Sequence, residues 1–430
     1  MNIVLAILIL SIIIIVHELG HFLLAKKNGI GVTEFSLGMG PRIISKEIGE
    51  TRYSLKLLPL GGSCIMIGED EIVEDDERSF NKKGVWARIS VVAAGPIFNF
   101  IFAFLLALVV VGMLGYDPAT VSSVTKGSPA DVAGLQPGDR ITEINGYHVD
   151  LSKDAELYLY LNPLSEEGLD VSYLRDGKEY STTVTPEFVD QYMLGFGYTS
   201  DENKAIISEV YEGYPLEVAG LEAGDIIVAI NGTTIDTGRD INSYFNENLL
   251  AESPVEITYL RGEVETTVTA TPLLASQGYT IGTSFFAGYE KANFFEIIKY
   301  SFIEVKFQIK QVMLSLGKLI SGQIGADQIA GPVGVVNAIG TMYDSAKTYG
   351  FRTVFLSLAS FAIMISANLG VMNLLPIPAL DGGRLVFLII EVIRGKRISQ
   401  EKEGLVHAIG IVCLMILMVF VLFNDISKFF

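Results

Sequence analysis

The sequence predicts a multi-pass α-helical membrane protein with four transmembrane helices, a membrane-dipping β-hairpin and two tandem α+β domains outside the membrane. Three observations carry that prediction. Half of the 430 residues are hydrophobic, and the mean hydropathy is +0.43, high for a soluble chain. The apolar residues gather into four runs, each long enough to cross a hydrocarbon core of ~30 Å. The middle of the chain is instead acidic and repeats itself. Between Asp117 and Glu290 there are 29 Asp and Glu against 8 Lys and Arg, while the whole chain carries −18, so the remainder is slightly basic. No basic stripe suggests nucleic acid as a partner. Cys64 and Cys413 fall in different apolar segments and imply no disulfide framework.

Residues 1–27 form the first span. Ile3 to Val16 carries no charge, Phe22 to Ala25 continues the run, and Lys26-Lys27 close it. The lysines mark the cytosolic end, so the N-terminus lies outside. The run ends in lysines rather than in a small-residue cleavage site, which argues against a signal peptide. Inside the span stands His17-Glu18-Leu19-Gly20-His21. Positions four apart share a helix face, so both imidazoles can hold one metal ion. Glu18 beside them is suited to activate a metal-bound water. At ~1.5 Å per residue the motif lies roughly 20 Å along the helix, still at membrane depth. Ionisable residues there are costly and usually functional.

Residues 28–84 do not continue as helix, because Gly29, Gly31, Gly38, Gly40 and Pro41 interrupt any helical run. Arg52 to Leu57 alternates as a strand does. Leu57 to Gly68 reads as an apolar hairpin turning at Gly61 and Gly62. Its edge suits pairing with an extended peptide inside a protein cavity; the plainer reading is an ordinary cytosolic hairpin. Glu69 to Glu77 reads as a solvated acidic loop. Residues 85–115 hold the second span, flanked by Lys82, Lys83 and Arg88. Gly95 reads as a helix-packing position, and Asn99 as facing a polar cavity.

Residues 116–189 and 202–275 are the two repeated domains. Val132-Ala133-Gly134-Leu135-Gln136-Pro137-Gly138-Asp139 recurs as Val218-Ala219-Gly220-Leu221-Glu222-Ala223-Gly224-Asp225. Ile144-Asn145-Gly146 recurs as Ile230-Asn231-Gly232, and Tyr173-Leu174-Arg175 as Tyr259-Leu260-Arg261, always 86 residues on. A period this long means two small domains rather than a solenoid. The pattern resembles bacterial PDZ domains, which bind extended peptide ends by strand addition. Peptide C-termini are therefore candidate ligands, and a spacer role is the alternative.

Residues 285–350 contain a long amphipathic pattern from Ala292 to Ile320, read either as a helix on the outer membrane surface or as a plain packing helix. Gly331-Pro332-Val333-Gly334 follows as a turn. Residues 353–394 form the third span, broken at Pro376 and Pro378 while the chain is still apolar. Broken helices at membrane depth free polar backbone groups and mark ligand sites. Arg394, Lys396, Arg397 and Lys402 place the far end in the cytosol, and residues 403–424 return outward. Catalytic zinc usually takes three protein ligands plus water. Of the remaining histidines, His148 lies outside the membrane and His407 is a minor candidate. Asp381 is the only acid in the broken stretch, at the depth of His21, and is the favoured third ligand.

His17-Glu18-Leu19-Gly20-His21 in one span, Asn373 to Gly382 (N-x-x-P-x-P-x-L-D-G) in a later one and PDZ-like units between them resemble the site-2 protease family of intramembrane zinc metalloproteases. The tandem units are similar to its regulator-of-sigma-E-protease branch. The resemblance implies one Zn2+ held by His17, His21 and Asp381, with Glu18 as catalytic base. It implies that Asn373 holds the substrate backbone, that the hairpin around Gly61, Gly62 and Gly68 clamps the substrate as an added strand, and that the break at Pro376 and Pro378 admits water and substrate. It implies single-pass membrane protein substrates, trimmed anti-sigma factors or signal-peptide remnants, in a bacterial cell membrane. Both termini and the PDZ units are expected outside, the units sitting over the outer entrance and excluding bulky substrates. Two rival classes are a proteolytically inactive PDZ scaffold, against which the intact Glu18 argues, and a transporter, against which the lack of inverted repeats argues.

Overall fold

The computed structural model of the chain describes residues 2–69, 76–198, 204–323, 325 and 331–429. Most of the acidic stretch between Glu69 and Glu77, and residue 202 at the expected start of the second repeat, lie outside these. The chain divides into two units, Met1–Tyr116 with Lys291–Phe430, and Asp117–Glu290. Among the described residues, four helices of the first unit are long and apolar enough to cross a membrane.

The first unit opens with α1 (Asn2–Lys27). Next come β1 (Val32–Ile48) and β2 (Thr51–Met66), an antiparallel pair. The expected hairpin within Leu57 to Gly68 does not form by itself. Instead, the inner half of β1 lies between two stretches of β2: Phe35 is opposite both Cys64 and Tyr53, and Leu37 opposite both Gly62 and Leu55. Gly38 and Gly40 cause this, because their φ values of +87° and +85° turn β1 back on itself. The ribbon crosses itself at Gly38, where a Cβ would stand 2.5 Å from the Leu58 carbonyl oxygen. Gly62 to Met66 pairs on its inner side with Val32 to Leu37, and among the described residues no strand takes its other edge. α2 (Val85–Leu114) follows, with Pro96 inside it.

The second unit carries the repeat. Its first half holds β3 (Ala119–Val124), α3 (Pro129–Val132), β4 (Arg140–Ile144), β5 (Tyr147–His148), α4 (Ser152–Leu161), β6 (Leu169–Arg175) and β7 (Lys178–Val184). An arm of β8 (Glu187–Met193) and β9 (Phe196–Tyr198) leads to the second half. That half holds β10 (Ile207–Val210), α5 (Pro215–Val218), β11 (Ile226–Ile230), β12 (Thr233–Thr234), α6 (Gly238–Glu247), β13 (Val255–Arg261) and β14 (Val264–Ala270). A second arm follows, β15 (Leu273–Thr280) and β16 (Thr283–Phe286). The arms are exchanged. β9 pairs with β10 of the second half, β16 returns to pair with β3 of the first, and β8 pairs with β15 between them. Each half therefore borrows its edge strand from the other half's arm, and neither sheet is complete alone.

The repeated Gly-Asp is structural. Arg175 grips Asp139 through Nε at 2.7 Å and Nη2 at 2.6 Å, and Arg261 grips Asp225 at 2.8 Å through both. The Arg261 guanidinium holds the Asp225 carboxyl below the usual carboxylate range.

The first unit resumes with α7 (Phe294–Ile320), capped by the Asn293 side chain. It is a packing helix: Val305 joins Ala103, Ala107 and Val110 of α2 in one core. Along its apolar stripe, Phe294, Phe295, Ile298 and Phe302 stay exposed while Val305 and Ile309 pack on α2 and α9; Tyr300, Ser301, Ile303 and Gln308 are buried as well. Gly331 to Gly334 is no turn between elements but the start of α8 (Pro332–Lys347), with proline at its first position. Asp425, far away in sequence, caps it, accepting from Gly331 N–H at 3.0 Å and Gly334 N–H at 2.9 Å. α9 (Phe351–Leu374), α10 (Asp381–Arg394) and α11 (Gln400–Phe429) complete the chain. Leu356, Ala359, Ile363 and Ala367 of α9 complete the core with α2 and α7; small residues let these helices come close.

Candidate active site

α1 and α2 cross where Gly20 meets Ala94; a Cβ on Gly20 would stand 2.4 Å from the Ala94 carbonyl oxygen. The crossing lays α2 over the face of α1 that carries His17 and His21. Their helical spacing puts the two Nε2 atoms 3.2 Å apart, and both residues are only 8% exposed. The third group arrives from α10. α9 stops at Leu374 because Pro376 and Pro378 cannot continue it. The chain then folds back, and α10 begins at Asp381. Gly382 and Gly383 permit this, since a Cβ on either would come within 2.2 Å of Leu375 O or 2.4 Å of Ile377 O. Asp381 Oδ2 ends 3.2 Å from His17 Nε2 and 3.4 Å from His21 Nε2.

These three groups fit a metal ion. Their ligand atoms all lie within 4.8 Å of one another. Asp381 Oδ2 is buried and, despite the short distances, has no hydrogen-bond partner among the described residues. Lone pairs that converge on a shared point in this way suit a divalent cation. Two imidazoles and a carboxylate are a donor set that zinc accepts with a fourth position left open. Glu18 is adjacent, and β2 rests on it. A Cβ on Gly62 would lie 2.8 Å from Glu18 Cγ, and the Cys64 backbone hydrogen-bonds the Glu18 carboxylate.

The model of peptidase family M50 matches residues 5–417. This chain belongs to peptidase family M50. A putative zinc metalloprotease of Clostridium acetobutylicum is 32% identical to this peptidase, over 99% of this chain and 97% of the relative. Zinc metalloprotease RasP of Geobacillus kaustophilus is 31% identical over the same shares. The regulator of sigma-W protease RasP of Bacillus subtilis is 30% identical over 99% of this chain and 98% of its own. Among solved structures, the HtrA3 PDZ domain bound to a phage-derived ligand matches 21% of this chain and 93% of its own at 20% identity. Its TM-score of 0.19 is too low to support an argument.

Around the ligand atoms of this M50 peptidase stand groups that sequence reasoning did not assign. His21 Nδ1 lies 2.9 Å from the Val91 carbonyl oxygen. His17 Nδ1 lies 3.2 Å from the Asn99 amide, and Asn99 is fully buried. The polar-cavity reading of Asn99 thus becomes a specific contact. Gly95 is a packing position, and what it packs against is the site: a Cβ there would stand 2.2 Å from His21 Nε2 and 2.7 Å from His17 Cε1. Only the geometry could find these roles, because single Asn and Gly residues in an apolar helix carry no chemical signature.

The expected substrate residues are not all together. Gly62 touches Glu18, whereas Gly61 packs on Met39. Gly68 is a turn glycine at φ +68° against Ser79, its carbonyl accepting from Asn81, and does not join Gly62 on Glu18. Asn373 is half-buried in the last turn of α9, Pro376 is exposed, and Pro378 is half-buried. His407 is not in the ligand cluster; its Nδ1 accepts the Ala379 N–H at 2.9 Å. His148 belongs to the second unit and faces Asp150.

Proposed function

We propose that this peptidase is a zinc endopeptidase that cuts membrane-spanning peptides within the bilayer. The observation that supports it is the convergence of His17, His21 and Asp381 beside Glu18, with His17, Glu18 and His21 on α1, a helix long and apolar enough to cross a membrane. Zinc held by the three residues supplies a Lewis acid for the scissile carbonyl and lowers the pKa of water. Glu18 takes the proton of the attacking water and later delivers it to the leaving amine. The backbone of β2 keeps Glu18 in place. A helical substrate hides its carbonyls in internal hydrogen bonds, so it must unwind before attack. The edge of Gly62 to Met66 is the natural receiver for the unwound segment, as an added strand. Asn373 and the break at Pro376 and Pro378 serve the same segment.

The substrate class follows from the relatives. One of them is named for regulating sigma-W, and trimmed anti-sigma factors or signal-peptide remnants are the substrates we assign here. The lysine and arginine flanks orient the chain with both termini and the acidic unit outside a bacterial cell membrane. The two repeats of that unit act as PDZ-type filters, with peptide C-termini as their ligands.

Two experiments test this reading. Asp381→Asn should weaken zinc retention on the order of 100-fold or more, measured by elemental analysis of the purified protein; wild-type zinc content would remove Asp381 from the ligand set. Replacing Asp117–Glu290 by a short flexible linker should broaden substrate choice toward untrimmed proteins while a pre-trimmed peptide is still cut. Loss of cleavage of the pre-trimmed peptide, with the membrane unit intact by zinc content, would show that the unit does more than filter. The deletion must reach Glu290, because β16 completes the sheet of the first repeat.

A further inference from the structure

We propose that His407, with Gly410 one turn further along α11, is a positioning residue for Asp381: it fixes the backbone of Pro378 to Leu380 so that the carboxylate meets His17 and His21. The proposal rests on the zinc-site reading above. Ala379 is the one residue of this loop with a positive φ, at +78°, a conformation that L-residues other than Asn and Asp rarely adopt. Something must hold it, and the Ala379 N–H is held by His407 Nδ1 at 2.9 Å. The bond requires the imidazole to be neutral at Nδ1. The His407 ring also lies 5.8 Å from the Phe387 ring on α10, the helix that Asp381 begins. Gly410 is buried, and a Cβ on it would stand 2.5 Å from both Pro378 Cβ and Pro378 O. At the next residue of the loop the contact changes from close packing to a hydrogen bond. Elsewhere α11 is largely exposed: Leu405, Ile409, Val412, Met415 and Ile416 are all more than half exposed. The side of α11 that carries His407 and Gly410 is where it meets the ligand loop. Asp381 is two residues from Ala379, so a released Ala379 N–H lets the start of α10 rotate and misaims the carboxylate.

The hydrogen bond and simple packing predict opposite orders of variants. Asn places a carbonyl oxygen near the position of Nδ1 but lacks the ring; Phe keeps the ring but accepts nothing. We expect His407→Asn to retain zinc better than His407→Phe, with Phe and His407→Leu losing it to a chelator at least about tenfold faster than wild type. The Co2+-loaded His407→Phe protein should show a shifted visible absorption band, and His407→Asn a band close to wild type. In an Ala379→Gly background, where the positive φ is no longer strained, the effect of His407→Leu should shrink. The reverse order, with Phe retaining zinc and Asn losing it, would overturn the proposal in favour of packing. Equal, wild-type retention in all variants would overturn it as well. If His407→Leu does not accumulate in membranes, the Asn and Phe pair decides. Asp381→Asn, assayed in parallel, separates the levels: zinc unaffected there removes the site reading itself, while zinc lost there but kept in His407→Phe removes only this proposal.

Discussion

Glu18→Gln is expected to abolish peptide cleavage while the purified protein keeps its zinc. The two side chains have the same shape. The amide oxygen can still accept from the Cys64 backbone, which hydrogen-bonds the carboxylate now, and Gly62 leaves room for it at Cγ. What is lost is the ability to take a proton. General acid–base groups contribute roughly 10²–10⁴ in rate, so turnover of a transmembrane peptide should fall by at least that factor. Zinc content should not fall, because Glu18 lies outside the ligand cluster. A Glu18→Gln enzyme that cleaves within a few-fold of wild type would remove Glu18 from the base role. A variant that also loses its zinc would place Glu18 in the metal site instead.

Gly95→Ala should be nearly as damaging, by a different route. A methyl group at this position would stand 2.2 Å from His21 Nε2 and 2.7 Å from His17 Cε1. No rotamer avoids it, since Cβ position is fixed by the backbone. Either imidazole must turn away, and His21 then gives up its Val91 contact. Zinc retention should drop by on the order of 100-fold, with activity lost in parallel. The control lies on the same helix. Gly112→Ala would meet only Ile297, at an ordinary 3.8 Å, and should behave as wild type in both assays. Equal zinc retention in Gly95→Ala and Gly112→Ala would mean that α2 does not approach the histidines as closely as described.

The metal site was legible for local reasons. His17 and His21 are four apart on one helix, and periodicity alone puts them on one face. Asp381 is legible by subtraction, as the one acid in the broken apolar stretch. The acidic repeat was equally legible, because Asp139–Arg175 and Asp225–Arg261 recur at the same offset. What stayed hidden depends on segments far apart in the chain. Nothing in the run from Leu57 to Gly68 shows that its partner is Val32 to Leu37 rather than itself. Nothing near Glu187 or Leu273 shows that the two arms change places. The apolar pattern of α7 left two readings open, a helix on the membrane surface and a packing helix, because its stripe holds both exposed residues such as Phe294 and Phe302 and a core residue, Val305.

By itself, then, the sequence determined the candidate chemistry of this protein: which side chains can bind zinc, which can move a proton, and that they stand in apolar segments. Those properties belong to residue types and to the 3.6-residue helical repeat, which need no partner segment. Only the tertiary structure decided how the site is held. Gly95 makes room for two imidazoles, Asn99 and Val91 meet their outer nitrogens, Gly62 lets a strand lie on Glu18, and His407 reaches Ala379 from another helix. Each of these is a contact across a helix crossing or a chain reversal. Its meaning lies in a distance between backbones, which no residue carries in its own chemistry.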